Sequence, residues 1–402
     1  LNKGAFLPPP RSGYHFLSFF CRNISNERMK HLLISLLIIG GFGLTTCRDE
    51  APTIANAEEF DAFVQKEMEE QDIPALSVLV FRENEVLHER YFGKADLSQG
   101  PALADNHLFL LASVSKVVTA VALLQLYDQG HFQLDDKIND YLPFAVTVPG
   151  ENKDITFRML LTHTSGIADG SALDDQYYYG QDSPVALADF MENYLAPNGQ
   201  FYNVNENFHD FEPGTQHEYA NAGSALIGVL VETISGMEFN AYCKANIFAP
   251  LGMGDTFWRL DEINQPIARP YDLINGNLQA IEHYTFTDYP NGGLRSTGRD
   301  LYKLLHALSQ GGISGGVQLL KPGTVEAMLT PQIPAIEEGV GLHLFLMDAS
   351  FGLWGHDGGE QGVSTIMAFN PVDKTGAIIL SNLGDAELDE MLRQAYLLGK
   401  KL

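Results

Sequence analysis

"FLLASVSKVVTAVALLQLYDQG", residues 109 to 130, reads as an apolar helix whose first turn carries a hydroxyl, Ser113, and an amine, Lys116. Residues three apart are neighbours on a helix surface, so the two side chains can touch if the helix begins near Ser113. A serine hydroxyl is a weak nucleophile until a nearby base takes its proton, and a neutral lysine can be that base. A helix N-terminus at the same place adds partial positive charge for the oxyanion that follows. Taken alone, an S-x-x-K match is better read as a capping serine beside a surface lysine, so the rest of the chain has to decide.

Outward from this helix the pattern changes period. Glu58 to Gln71 reads as an amphipathic helix, and "ALSVLVFRENEVLHERYFG" as two strands joined at Arg82 to Glu85 in a hairpin. Helical patterns then dominate: 155 to 166, "SALIGVLVETISG" at 224 to 236, and "FNAYCKANIFAPLGM", where Cys243 falls at helical spacing as a buried small apolar residue. Strand patterns return in "HLFLMDASFGLWGHDGG" and "VSTIMAFNPVDKTGAIILSN", before a closing helix at Leu388 to Leu398. Strands at both ends around a helical middle predict an α/β (α+β) fold. Its mixed, mainly antiparallel sheet would come from the N- and C-terminal segments, with a mostly helical lobe inserted between them. A site is then expected in the cleft between the lobes.

Composition narrows the function classes. The 402 residues, 45% of them hydrophobic, can bury a large core, and 51 acidic against 25 basic residues give a formal charge of -26. That charge repels nucleic-acid phosphates and anionic membrane surfaces, so no nucleic acid is expected as a partner. Acidic runs such as "NAEEFDAFVQKEMEEQD" read as solvated helix faces. Residues 29 to 47, "MKHLLISLLIIGGFGLTTC", carry a basic start, an apolar run from Leu32 to Leu44 and small residues before Cys47. They are expected to be a bacterial export signal whose "LTTC" resembles a lipoprotein box, leaving Cys47 lipidated as the sole membrane anchor. The alternative is an ordinary cleaved signal. Residues 1 to 28 are expected to be an upstream extension, and 48 to 402 the functional domain, placed in the periplasm or cell envelope.

One short motif is weak, but several in a fixed order are specific. "FLLASVSKVVTAVALLQLYDQGHFQLDDKINDYLP", "ITFRMLLTHTSGI", "FEPGTQHEYANAGSALIGVLVETISG", "PLGMGDTFW" and "GGLRSTGRDLYKLL" follow one another between about residues 58 and 383. Together they resemble the serine β-lactamase and penicillin-binding protein superfamily, of the class C type. The resemblance implies that Ser113 attacks a carbonyl, that Lys116 and Tyr219 together accept and return its proton, and that Asn221 of Tyr219-Ala220-Asn221 binds the substrate amide or ester. Tyrosine in water titrates near pH 10, so Tyr219 could be a base only beside a positive charge from Lys116.

The family's third motif, Lys-Thr-Gly, has two candidates. Lys374-Thr375-Gly376 matches the letters but follows Asn370-Pro371 and reads as a hairpin turn. His356-Asp357-Gly358 matches the position: His356 is expected to take over the lysine's task of supplying a proton or charge, Gly358 to let substrate approach the backbone, and the Gly359 N–H to join that of Ser113 as an oxyanion hole. "GISGG" at 312 to 316 follows a helix and is set aside as a nucleophile elbow. His163 is expected to be structural, and Thr297 to Asp300 a helix cap. Neither metal nor cofactor is implied. Small-molecule or peptidoglycan-derived peptide, ester and β-lactam substrates fit the resemblance. Loss of a fixed cation at 356 favours a D-Ala-D-Ala carboxypeptidase-like peptidase or a small-ester hydrolase over a class C-type β-lactamase. A non-catalytic envelope protein with the same fold is the other alternative.

Overall fold

The run "ALSVLVFR" is apolar on both faces, and the computed structural model, which describes residues 54–98 and 100–402, shows why. Strand β1 (Ala75–Arg82) is an inner strand of a six-stranded sheet with β2 (Glu85–Gly93), β3 (Phe345–Asp348), β4 (Leu353–Glu360), β5 (Val363–Phe369) and β6 (Thr375–Ser381). The order is β3-β4-β5-β6-β1-β2, and every pair is antiparallel. Leu76 pairs with Ser381 and Arg82 with Thr375, so the two ends of the domain are joined by one ladder. The expected export segment, Cys47 and the stretch 1 to 28 lie outside the described residues.

Each face of the sheet has its own cover. Leu76, Val78 and Val80 of β1 pack with Phe60 and Val64 of α1 (Ala57–Glu70) and with Met391, Leu392 and Ala395 of the last helix, Asp389–Lys401. Leu79 and Phe81 point the other way, into a larger core shared with the helical region. With both faces buried, β1, β5 and β6 can be almost continuously apolar, whereas edge strand β2 carries the exposed charges of Glu85 and Arg90.

The helical region is built around α2 (Ser115–Asp128) and α3 (Asn221–Ser235). From Ser115 to Leu124 every residue of α2 is buried, so this helix shows no polar face. Burying each Val or Leu there contributes roughly 1.5–3 kcal/mol. Its polar residues are satisfied: Ser115 Oγ accepts from Leu294 N at 3.2 Å, and Thr119 Oγ1 donates to Pro290 O at 2.6 Å. Helix α3 stops at Gly236, whose φ of 72° is the left-handed cap conformation. Cys243 is buried and free.

Two sequence expectations about turns are met in this frame. Thr297 Oγ1 accepts from Asp300 N at 3.2 Å and starts the helix Gly298–Ser309. Lys374, with φ 57°, closes the turn between β5 and β6, and its Nζ donates to Gln310 Oε1 at 2.7 Å. Since Trp354 pairs with Phe369 and Gly359 with Ser364, that turn lies at the end of the sheet away from Gly359.

Candidate active site

Ser113 does not begin α2; it lies in a single 3-10 turn, Ala112–Val114, just before it. Ala112 holds the left-handed φ of 48°, a conformation costing a non-glycine residue about 1–2 kcal/mol. The turn is held from both sides. Thr365 Oγ1 of β5 donates to Leu111 O at 2.6 Å, and Leu111 N donates to Leu294 O at 2.8 Å. The expected contact survives this correction, because a 3-10 turn also sets residues three apart over one another.

Lys116 is fully buried, and its Nζ donates to Ser113 Oγ at 3.0 Å, Asn221 Oδ1 at 2.7 Å and Asn291 O at 2.7 Å. Burial pushes the amine down to about 7, against the carboxylates of Asp169, Asp288, Glu360 and Asp357, which hold it up. An ammonium satisfies all three acceptors. A neutral amine keeps two N–H groups for Asn221 Oδ1 and Asn291 O, which can only accept here, and its lone pair is left facing Ser113 Oγ. Both protonation states therefore fit the same cage.

Tyr219 is also hydrogen-bonded to Ser113, and burial pushes its phenol well above the ordinary 10. Lys116 Nζ sits over the Tyr219 ring, 4.9 Å from its centre, so it faces the π system. The sequence leaves open whether Lys116 or Tyr219 is the base, and burial here favours the protonated phenol. Asn221 occupies the first turn of α3, whose amides are capped from outside. Asp169 Oδ2 accepts from Asn221 N, and Asp169 Oδ1 from Ala222 N, each at 2.9 Å. Nothing near Asp169 in sequence signals that it will cap a helix 52 residues later.

Strand β4 closes the other side. A Cβ added to Gly358 would lie 2.5 Å from Leu111 O and 3.0 Å from Ser113 N, so the strand meets the turn that carries Ser113 at the van der Waals limit. Strand β3 pairs with β4 only from Leu353 to Gly355, and among the described residues no strand covers the outer edge of β4 beyond that. Gly359 lies on this open stretch and is exposed.

His356 lies on β4 on the same face as Gly358. The ring is 1% exposed, and its Nδ1–H donates to Asp357 O at 2.5 Å. Burial, with the charge of Lys116, pushes it down to about 3 although the bond to Asp357 works the other way. A carbonyl can only accept, so the proton sits on Nδ1, and Nε2 is a lone-pair acceptor with no partner. Burial thus disfavours the charged form that a substitute for lysine would need.

His163 is more than a helix-end residue. Its Nδ1 accepts from Ala220 N at 3.2 Å, and its ring stacks on Tyr219 at 4.2 Å and on His343 at 4.7 Å. His343 Nε2 lies 3.1 Å from Ser224 Oγ. Burial pushes both imidazoles well below 6.5, so this wall behind Tyr219 is neutral. Sequence reasoning missed His217, whose ring lies 6.2 Å from that of His163, and His343, although both lie in stretches it had singled out, two residues before Tyr219 and at the head of the strand run from 343. Ser314 of "GISGG" sits in a two-residue ribbon, Ile313–Ser314 with Val317–Gln318, without the strand-to-helix turn of a nucleophile elbow.

Comparison with known proteins agrees with this geometry. The family model described as Beta-lactamase matches residues 60–400. The Beta-lactamase-like protein 4 of Dictyostelium discoideum is 26% identical over 349 residues, covering 80% of this chain and 59% of that protein. This chain therefore spans little more than half of that relative's length. A penicillin-binding protein of Bacillus subtilis is 27% identical over 343 residues, covering 79% of this chain and 70% of its own. The crystal structure of a penicillin binding protein from Bacillus halodurans superimposes with a TM-score of 0.67 at 25% identity, covering 83% of this chain and 98% of that one.

Proposed function

The chain belongs to the Beta-lactamase family, and we propose that within it the protein is a serine hydrolase that forms an acyl-enzyme on Ser113. The observation that carries this reading is the placement of Lys116: with two of its hydrogens directed at obligate acceptors, its lone pair has only Ser113 Oγ to face. In the neutral form it takes the serine proton as Oγ bonds to the substrate carbonyl carbon. The carbonyl electron pair moves to oxygen, where the Ser113 and Gly359 N–H groups would receive it. As the tetrahedral species collapses, the bond to the leaving nitrogen or oxygen breaks. Tyr219 donates its proton to that atom, and the Lys116 ammonium restores the phenol. Water then attacks the acyl-enzyme by the same route, giving one carboxylic acid and regenerating Ser113.

The neutral, accepting His356 Nε2 leaves nothing at that position to hold a substrate carboxylate. This supports a hydrolase of small esters or amides, and takes support from the carboxypeptidase half of the sequence expectation. The segment 29 to 47 supports an exported, envelope-associated location. A fluorescent fluorophosphonate tests the reading: it should label the protein, and Ser113→Ala should lose both label and ester turnover while unfolding at the same temperature. Labelling that persists in Ser113→Ala, or disappears in Ser314→Ala instead, would count against it.

A further inference from the structure

The face of β4 that meets Ser113 carries one side chain beyond the oxyanion position, Glu360. Side chains alternate along a strand, so His356, Gly358 and Glu360 share a face, with Gly358 against Ser113 N. Two residues of strand rise about 6.6 Å, which sets Glu360 that far along β4 from Gly358, on the side opposite His356.

Glu360 is held in place rather than free to wander. Tyr177 O–H donates to Oε2 and Gln361 N–H to Oε1, both at 2.9 Å. Tyr177 in turn packs against Tyr284 at 5.6 Å and Phe286 at 5.4 Å. A carboxylate has about four acceptor positions, so these two bonds leave it room for another donor. A carboxylate fixed in this way matches an ammonium, which supplies both the opposite charge and the missing N–H donors.

Two further observations point to the same ligand. The charges acting on Lys116 Nζ are carboxylates: Asp169, Asp288, Glu360 and Asp357. On the far side of Gly358, the buried His356 offers only the lone pair of Nε2, an acceptor with no partner. Acceptors thus lie on both sides of Ser113, Glu360 on one and the Nε2 of His356 on the other.

We propose that the acyl side of this cleft reads a protonated amine, so that the preferred substrates are esters or amides of α-amino acids whose amino group is free. The ammonium, two bonds from the scissile carbonyl carbon, pairs with the Glu360 carboxylate at the acceptor positions that Tyr177 and Gln361 leave open. The groups around it are Asp357 of β4, Tyr179 beside Tyr177, and Lys116 and His356 across the nucleophile. This assignment rests on Ser113 being the acylated residue.

The test uses the full chain with phenylalanine methyl ester and N-acetylphenylalanine methyl ester, each as both enantiomers, together with fluorophosphonate labelling of the same samples. The kcat/KM ratio of free to acetylated ester should be at least about tenfold at pH 6.5. It should fall toward one above pH 9, since an α-amino group ordinarily titrates at about 7.7–8.0. The acetylated ester corrects for titration of the enzyme itself. Glu360→Gln should lower the ratio about tenfold, and the wild-type pH dependence gives an independent reading if that variant does not fold. Labelling with an equal or inverted ratio overturns amine recognition alone. Absence of labelling and of turnover of either ester overturns the serine-hydrolase reading and this proposal with it.

Discussion

Gly358 touches the turn that carries Ser113: an added Cβ would stand 3.0 Å from Ser113 N and 2.5 Å from Leu111 O, both main-chain atoms that cannot swing aside. Its neighbour Gly359 has nothing within 4 Å of the same construction. The two glycines therefore differ: close approach leaves no room for a side chain at 358, whereas 359 has open space around it.

Gly358→Ala is expected to displace the nucleophile turn, lowering ester turnover at least about a hundredfold and stability by about 1–3 kcal/mol. Gly359→Ala should change stability by no more than about 0.5 kcal/mol. Urea unfolding of the two variants checks this, and coincident midpoints would contradict it.

For a neutral ester, kcat/KM should rise with pH through about 7, where Lys116 loses its proton and becomes able to accept that of Ser113. Tyr219, pushed well above 10, adds no alkaline limb below pH 9, and His356, at about 3, adds none above pH 5. A limb lying near pH 5 instead would remove Lys116 as the base.

Lys116 and Tyr219 both bond to Ser113 and are expected to act as one unit. Lys116→Ala and Tyr219→Phe should each lower kcat by about a hundredfold or more, and the double variant should fall little below the worse single one. Multiplicative losses in kcat would show two independent contributions.

His356→Lys places a second amine near Lys116. Like charges disfavour one another, so the acid limb should move below pH 7, and turnover of carboxylate-bearing esters should rise relative to neutral ones. Lys374→Ala, at the far turn of the sheet, should alter neither the limb nor that ratio. Movement of the limb in the Lys374 variant would reopen the letter match at 374 to 376.

Stability should fall on acidification. Burial holds His163 and His343 well below 6.5, His217 at about 4 and His356 at about 3. Above pH 6.5 folded and unfolded chains both carry these rings neutral. Below it the unfolded chain takes up protons that the folded one refuses, so stability is lost as pH falls toward the folded values. Each fully shifted ring contributes a slope of about 1.4 kcal/mol per pH unit. Urea unfolding at pH 7, 6 and 5 measures the total, and a constant midpoint across that range would show that the imidazoles are not confined as described.

Much of this site is readable along the chain because its relationships are local. Ser113 and Lys116 are three residues apart, so any helical turn brings them together, and the 3-10 turn that replaced the expected α-helical start left that contact in place. Strand alternation likewise sets His356, Gly358 and Glu360 on one face whatever surrounds them. The hairpin at Lys374 could be told from a catalytic strand because Asn370-Pro371 punctuates the chain nearby.

The protonation states are a different matter, since they depend on burial and on charges brought from remote segments. Lys116 meets Asn221 from 105 residues away and Asn291 from 175, and Asp169 caps α3 across 52. In water a lysine is a cation and a histidine titrates near neutrality. In the folded interior Lys116 is pushed down to about 7 and His356, on β4, down to about 3, so each charged form is disfavoured relative to water while the lysine stays the more basic of the two. Desolvation belongs to the assembled interior, where each group's surroundings are supplied by remote segments, and so these electrostatics were decided only when residues 75–93 and 345–381 paired into one sheet against the helices.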